Sequence, residues 1–170
     1  MKTRFFIQAV IVAAAASIVF PVLADTMSIP GEDHPAFTFD VPSTWNPKLD
    51  KDDESAEATA PDKHVYLVSW LVTKEDMKTL TGDIASTLKD SMSSVDPNTQ
   101  QEKLQMNGVD FTIVKGSGID KQEGGKVRFQ VALFPTGAGK VGIFYADYDA
   151  DAPADTMDVL QGIMKSIKIK

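Results

Sequence analysis

The feature that most limits the fold is the turn punctuation in the second half of the chain. Asn107-Gly108 is the preferred two-residue hairpin turn, Gly124-Gly125 makes a second turn, and Pro135-Thr136-Gly137-Ala138-Gly139 a third. The runs between them are short and rich in β-branched and aromatic residues. Four consecutive antiparallel strands are predicted, at about 99–106, 109–119, 126–134 and 140–147. In the last three, Val109/Phe111/Ile113, Val127/Phe129/Val131/Leu133 and Val141/Ile143/Tyr145 share one parity, which assigns them to a single core-facing side; Lys115, Lys126, Arg128, Gln130 and Lys140 fall outside or opposite it.

Upstream, a short strand is predicted at 36–41 and a longer one at 64–73. The second carries Val65, Leu67 and Leu71 in one register and Tyr66, Val68, Trp70 and Val72 in the other, so it belongs in the interior of a sheet covered on both faces. Between the two, 46–62 holds Asp50, Asp52, Asp53, Glu54, Glu57 and Asp62 with almost nothing apolar, and reads as a mobile acidic loop. After it, Thr73 and Asp76 form a weak capping box for a helix over 75–95, whose Met77, Leu80, Ile84, Leu88, Met92 and Val95 recur at helical spacing before Asp96-Pro97. A closing helix over 153–167 presents Met157, Leu160, Ile163, Met164 and Ile167, with Asp151 as N-cap, Pro153 in the first turn and a short terminal strand at 168–170. Strands grouped rather than alternating with helices give an α+β class with an antiparallel sheet of about six strands and helices packed on it.

At the other end, Lys2 and Arg4 precede an uncharged apolar run from Phe5 to Leu23 that closes on Val22-Leu23-Ala24. This is the pattern of a secretory signal peptide over 1–24, cleaved after Ala24; the run is nearly long enough for a membrane anchor, but its Ala-rich centre and Pro21 favour cleavage. A single domain over 25–170 follows. With no cysteine in 170 residues there is no disulfide, thiolate metal site or lipid attachment, and a soluble periplasmic or secreted protein is expected. The net charge of −7 becomes −9 once Lys2 and Arg4 are gone, since all 24 acidic residues lie beyond the leader. That balance argues against nucleic acid or an anionic membrane as partner and favours a cationic one.

The opening Phe37-Thr38-Phe39-Asp40-Val41-Pro42-Ser43-Thr44-Trp45, the helix after the second long strand, the meander, and the ending Ile163-Met164-Lys165-Ser166-Ile167-Lys168 together resemble the PsbP-like family. Its fold is shared with a Ran-binding nuclear import factor and with DcrB-type exported bacterial proteins. The resemblance implies an α/β/α sandwich and a binding, non-enzymatic role; a photosynthetic docking segment has no counterpart here.

Catalytic chemistry finds little support. Only His34 and His64 could serve a histidine site; His64 begins a strand just after the acidic loop, where Asp62 could join it, whereas His34 lies in the run Gly31-Glu32-Asp33-His34-Pro35. Gly116-Ser117-Gly118 lacks a nucleophile elbow, and Gly137-Ala138-Gly139-Lys140 lacks the first glycine and the Ser or Thr of a phosphate loop. Asp147, Asp149 and Asp151, continued by Asp155 and Asp158, copy the acidic spacing of a calcium loop, but Ala152 replaces the turn glycine and Asp158 the bidentate glutamate; capping of the last helix explains the same acids. Calcium is thus the one metal with named ligands, and no other cofactor is indicated. Trp45, Tyr66, Trp70, Phe134, Phe144 and Tyr148 form either a second core layer or a binding patch, with Trp45, Tyr66 and Trp70 assigned to partner contact. The expected function is a non-enzymatic envelope protein that binds a protein partner through a sheet edge, the acidic loop or these aromatics. The alternative is a metal-dependent or hydrolytic enzyme using His64 with acidic-loop carboxylates.

Overall fold

The computed structural model describes residues 23–170 apart from Asp53 and Pro97, so the leader assigned to 1–24 lies almost wholly outside the described residues. In chain order the first elements are β1 (Ala24–Ile29), β2 (Phe37–Pro42), a 3-10 turn (Ser43–Trp45), β3 (Lys48–Asp50), β4 (Ser55–Thr59), β5 (Val65–Thr73) and α1 (Met77–Ser91). There follow β6 (Met92–Val95), β7 (Gln100–Met106), β8 (Val109–Asp120), β9 (Lys126–Pro135), β10 (Lys140–Asp149), α2 (Ala154–Lys165) and β11 (Lys168–Ile169).

The strands divide into a three-stranded sheet, β1-β2-β11, and an eight-stranded sheet ordered β3-β4-β5-β10-β9-β8, with β6 and β7 sharing the outer edge of β8; every pairing is antiparallel. One face of the large sheet, carrying Val65, Leu67, Phe111, Ile113, Phe134 and Phe144, packs on β2 and α2 through Phe37, Phe39, Val41, Leu160 and Ile163. The other face, with Val127, Phe129, Val131, Ile143 and Tyr145, is covered by Leu80 and Leu88 of α1 and by Met92. Each fully buried side chain of this size stabilises the fold by about 2 kcal/mol. Phenylalanine rings join the two sheets: Phe37 and Phe134 meet edge to face at 5.0 Å between centroids, Phe39 and Phe144 at 5.8 Å.

Two glycines make room for rings on opposite faces. Gly142 pairs with Phe134 and Gly116 with Phe129, and in each pair the ring occupies the volume a Cβ would fill. A residue without a side chain lets the ring lie flat on the sheet.

The architecture corrects the expected PsbP-like α/β/α sandwich with a sheet of about six strands: the described chain is mostly antiparallel strand, in sheets of eight and three. Three local causes account for the difference. First, the acidic stretch 46–62 is not a loop but the hairpin β3–β4, in which Ala56 and Ala58 alternate with Ser55, Glu57 and Thr59 and bury their methyls in the core. Second, the predicted helix over 75–95 ends at Ser91, because Met92-Ser93-Ser94-Val95 pairs with residues 118–120 of β8. Third, β1 adds a strand ahead of β2, paired from Ala24↔Pro42 to Ile29↔Phe37.

Nor does the meander's shared parity mark one face. Odd residues of β8 stand opposite even residues of β9, as in Ile113↔Ala132, so Phe111 and Ile113 face α2 while Val127, Phe129 and Val131 face α1. At the last helix the N-cap is Pro153 rather than Asp151, with no side-chain cap hydrogen bond.

Candidate functional site

A cleft of about 180 Å³ opens at one end of the large sheet on the α1 side. Antiparallel pairing builds it: the start of β5 lies against the end of β10, so Asp147 stands opposite Tyr66, and the Asp149 N–H donates to the His64 carbonyl at 3.0 Å. The turn after β8 supplies Asp120 and Glu123, and the α1–β6 junction supplies Ser91 and Met92. Asp120 holds that turn by accepting the Gln122 and Glu123 N–H groups at 2.7 and 2.6 Å. Four carboxylates, Asp120, Glu123, Asp147 and Asp149, therefore share one concavity with Lys63 and His64.

Their titration differs with surroundings. Burial pushes the Asp147 carboxyl up to about 6, the nearby Asp120 and Asp149 charges add to the rise, and the 3.1 Å hydrogen bond from the Tyr145 hydroxyl opposes it. Burial likewise drives the Tyr145 hydroxyl well above its ordinary range, and the Asp147 charge adds to this. Tyr66 donates to Glu57 Oε2 at 3.2 Å and is pushed up to about 12, chiefly by burial and then by the Glu57 charge. His64 is raised by its bond to Asp149, Nδ1 to Oδ2 at 2.7 Å, with Asp62, Asp149 and Asp151 as supporting charges. Asp62 accepts the His64 N–H at 3.1 Å and the Thr156 hydroxyl at 2.6 Å, which lowers its pKa and ties the start of β5 to the first turn of α2.

The residues singled out by sequence are only partly brought together. Asp147 and Asp149 project from the same side of β10 into the cleft, whereas Asp151 sits in the turn beyond it; among the described residues no three His, Asp or Glu side chains gather to hold a metal ion. Trp45, 3% exposed, is buried with Phe134 and Phe144 on the α2 side, while Tyr66 and Trp70 are half-buried on the α1 side. Of the three, Tyr66 alone lines the cleft. His34 lies on the β1–β2 connection with Glu32 and Asp33, away from the cleft lining. Sequence reasoning missed Asp120, Glu123 and Tyr145. Tyr145 could have been found from its i, i+2 relation to Asp147 on one strand face, but Asp120 and Glu123 come near only through the pairing of three strands.

No protein-family model and no curated protein matches the chain, so the PsbP-like resemblance rests on the residues quoted for it. Among solved structures it is similar to a Bacteroides thetaiotaomicron protein, with 13% identity and a TM-score of 0.52 over 81% of this chain, a likeness of fold alone; the chain spans about half that protein's length, 47%. It is also aligned with PA94 of Pseudomonas aeruginosa, a protein of unknown function, at 9% identity, TM-score 0.48 and coverage of 78% and 91% of the two chains. A third alignment, with LpqN of Mycobacterium tuberculosis, a protein involved in cell envelope biogenesis, has 16% identity, TM-score 0.37 and coverage of 90% and 87%.

Proposed function

We propose that this protein is a non-enzymatic accessory protein of the cell envelope that binds a basic segment of a protein partner in the acidic cleft. The observation that carries the reading is the convergence of Asp120, Glu123, Asp147 and Asp149 beside Tyr66 in one concavity of a chain whose net charge is already −7. Like charges gathered this way attract a cationic side chain and speed its encounter. Tyr66 adds an aromatic wall against which a lysine or arginine stem packs. Export through a leader over 1–24 with one domain over 25–170 supports the envelope setting.

The test is affinity capture from an envelope extract at low and high salt, using the wild-type chain and Asp120→Asn/Asp149→Asn. A partner held by wild type, released by salt and lost in the double variant is the expected result. Repeated capture of nothing above background, or of a partner that the variant holds equally well, removes the reading.

One observation favours a second reading, hydrolytic chemistry at His64: the Asp147 carboxyl, raised to about 6, shares the cleft with the His64–Asp149 pair, which sets titratable groups of different strength side by side. Its carboxylates come from β10, since Asp149 hydrogen-bonds the imidazole whereas the hydrogen bonds of Asp62 go to the His64 N–H and the Thr156 hydroxyl. Turnover of generic ester or phosphoester substrates that His64→Gln abolishes would establish it; equal background rates would dismiss it.

A further inference from the structure

The face of the large sheet opposite the cleft has a second feature. Beyond the area that α2 covers, a groove crosses β8, β9 and β10 in two compartments that share Lys115 and Tyr148. The polar compartment, about 460 Å³, includes Asn98, Gln100, Ser117 and Arg128. The apolar one, about 340 Å³, runs between β7 and α2 past Leu104, Met106, Met157, Leu160 and Met164.

Arg128 is one of two arginines in the sequence, the other being Arg4. It is exposed, stands between Ser117 and Tyr148 on the neighbouring strands, and its guanidinium makes no hydrogen bond or ion pair with any described residue. Lys115 differs, since its ammonium is taken by Glu102 at 2.5 Å. Asp96, the acid on the rim, accepts both the Asn98 N–H and the Asn98 side-chain amide at 2.8 and 2.9 Å. The Arg128 guanidinium is thus the cation of the polar compartment without an acidic partner, and its planar fork matches an oxyanion.

Gln130 is the independent observation. Two residues along β9 on the same face, it is only 8% exposed and lines the apolar compartment. Its amide donates to the Met164 sulfur at 3.1 Å, a weak acceptor, and its carbonyl oxygen accepts nothing from a described residue. No side-chain polar atom among the described residues is both fully buried and unpartnered, so this oxygen still reaches solvent at the groove floor, where a ligand's polar atom can meet it.

We propose that this groove binds a single-chain carboxylate amphiphile, with its head on Arg128 within reach of Gln130 and its alkyl chain between Leu104 and Met157. An extended peptide is the poorer fit. Strands β9 and β10 are paired on both sides along the groove and α2 keeps its own hydrogen bonds, so only the outer edge of β7 has free backbone groups, and a peptide would need to pair there rather than along the groove floor. An alkyl chain needs no such pairing, and the three methionines are adaptable lining for it.

Titration of the full chain with dodecanoate, below its micelle concentration, tests this by calorimetry beside dodecanol and acetate. Saturable dodecanoate binding is expected, with both comparison ligands at least tenfold weaker. Arg128→Gln should weaken dodecanoate about tenfold without moving the thermal melt, because the side chain is exposed. Met157→Glu should remove binding, and Lys140→Gln should leave it unchanged. Absence of saturable binding overturns the proposal, as does an unaffected Arg128→Gln variant. So do dodecanol binding as well as dodecanoate, which would mean a nonspecific apolar trough, and acetate binding as well, which would mean an anion subsite without a tail.

Discussion

His64 Nδ1 lies 2.7 Å from Asp149 Oδ2, a contact between residues 85 apart in sequence that closes the end of the β5–β10 pair. The bond favours the protonated imidazole, so the folded state holds that proton more tightly than the unfolded chain. The stabilisation is fully present below the ordinary histidine value of 6.5 and is lost as pH rises through the higher folded value. Asp149→Asn should therefore lower the His64 pKa, read from its imidazole proton shifts by NMR. An unchanged titration would show that the pair does not persist in solution.

Asp147 behaves in the opposite sense to an ordinary surface acid. Its folded value of about 6 lies above the usual 3.8, so between these limits the folded state binds more protons and stability falls as pH rises. Well above pH 6 the full cost of the buried charge is present, on the order of 3 kcal/mol. Asp147→Asn keeps an acceptor for the Tyr145 hydroxyl and removes the charge. It should raise the stability measured by urea unfolding by about this much at pH 7.5 and leave it unchanged at pH 3.5. Equal effects at both pH values would mean that packing, not ionisation, governs the site.

How far the sequence was legible follows the range of each signal. Local signals were read to within about two residues: the turns after Met106, Asp120 and Pro135, the two-register burial of β5, and the apolar spacing of α2. Acidic content hid the β3–β4 hairpin, although Ala56, Ala58 and Ala60 already alternate with polar residues in a period of two; methyl groups are weak hydropathy signals but fill the core well. The face carried by each strand of the meander depends on hairpin register, which numbering parity does not reveal. Asp147 and Asp149 were named from spacing, but their neighbours Asp120 and His64 come from other strands, so the cleft exists only in the folded sheet.

The glycine–ring pairs give a prediction about packing. In Gly142→Ala the new methyl would overlap the Phe134 ring, itself 1% exposed and in contact with Phe37 and Phe111, so the ring cannot swing aside freely. A loss of about 1–3 kcal/mol is expected, as for overpacked cores. Gly82→Ala in α1, where a Cβ meets nothing within 4 Å, should instead stabilise by up to about 1 kcal/mol through helix propensity. Chemical denaturation of both variants checks the contrast, and a Gly142→Ala protein as stable as wild type would contradict the ring placement.

Calcium is the remaining question for the acids at the end of β10. A calcium ion takes six to eight oxygens, about 2.4 Å away, from several groups turned toward one point. Here Asp147 is engaged by Tyr145, Asp149 by His64, and Asp151 lies past the strand in the turn before α2. With Oδ2 of Asp149 held by His64 and Oδ2 of Asp147 by Tyr145, the pair keeps one uncommitted oxygen each, well short of the six to eight that calcium takes, and bidentate ligation would have to break those bonds. Thermal melts of the protein in chelator and in 1 mM-scale calcium, roughly the range of weak extracellular sites, are therefore expected to superimpose. Were calcium to raise the melting temperature and Asp149→Ala to abolish the rise, the carboxylates would have to rearrange into a site, and the linkage relation would give its affinity from the size of that rise.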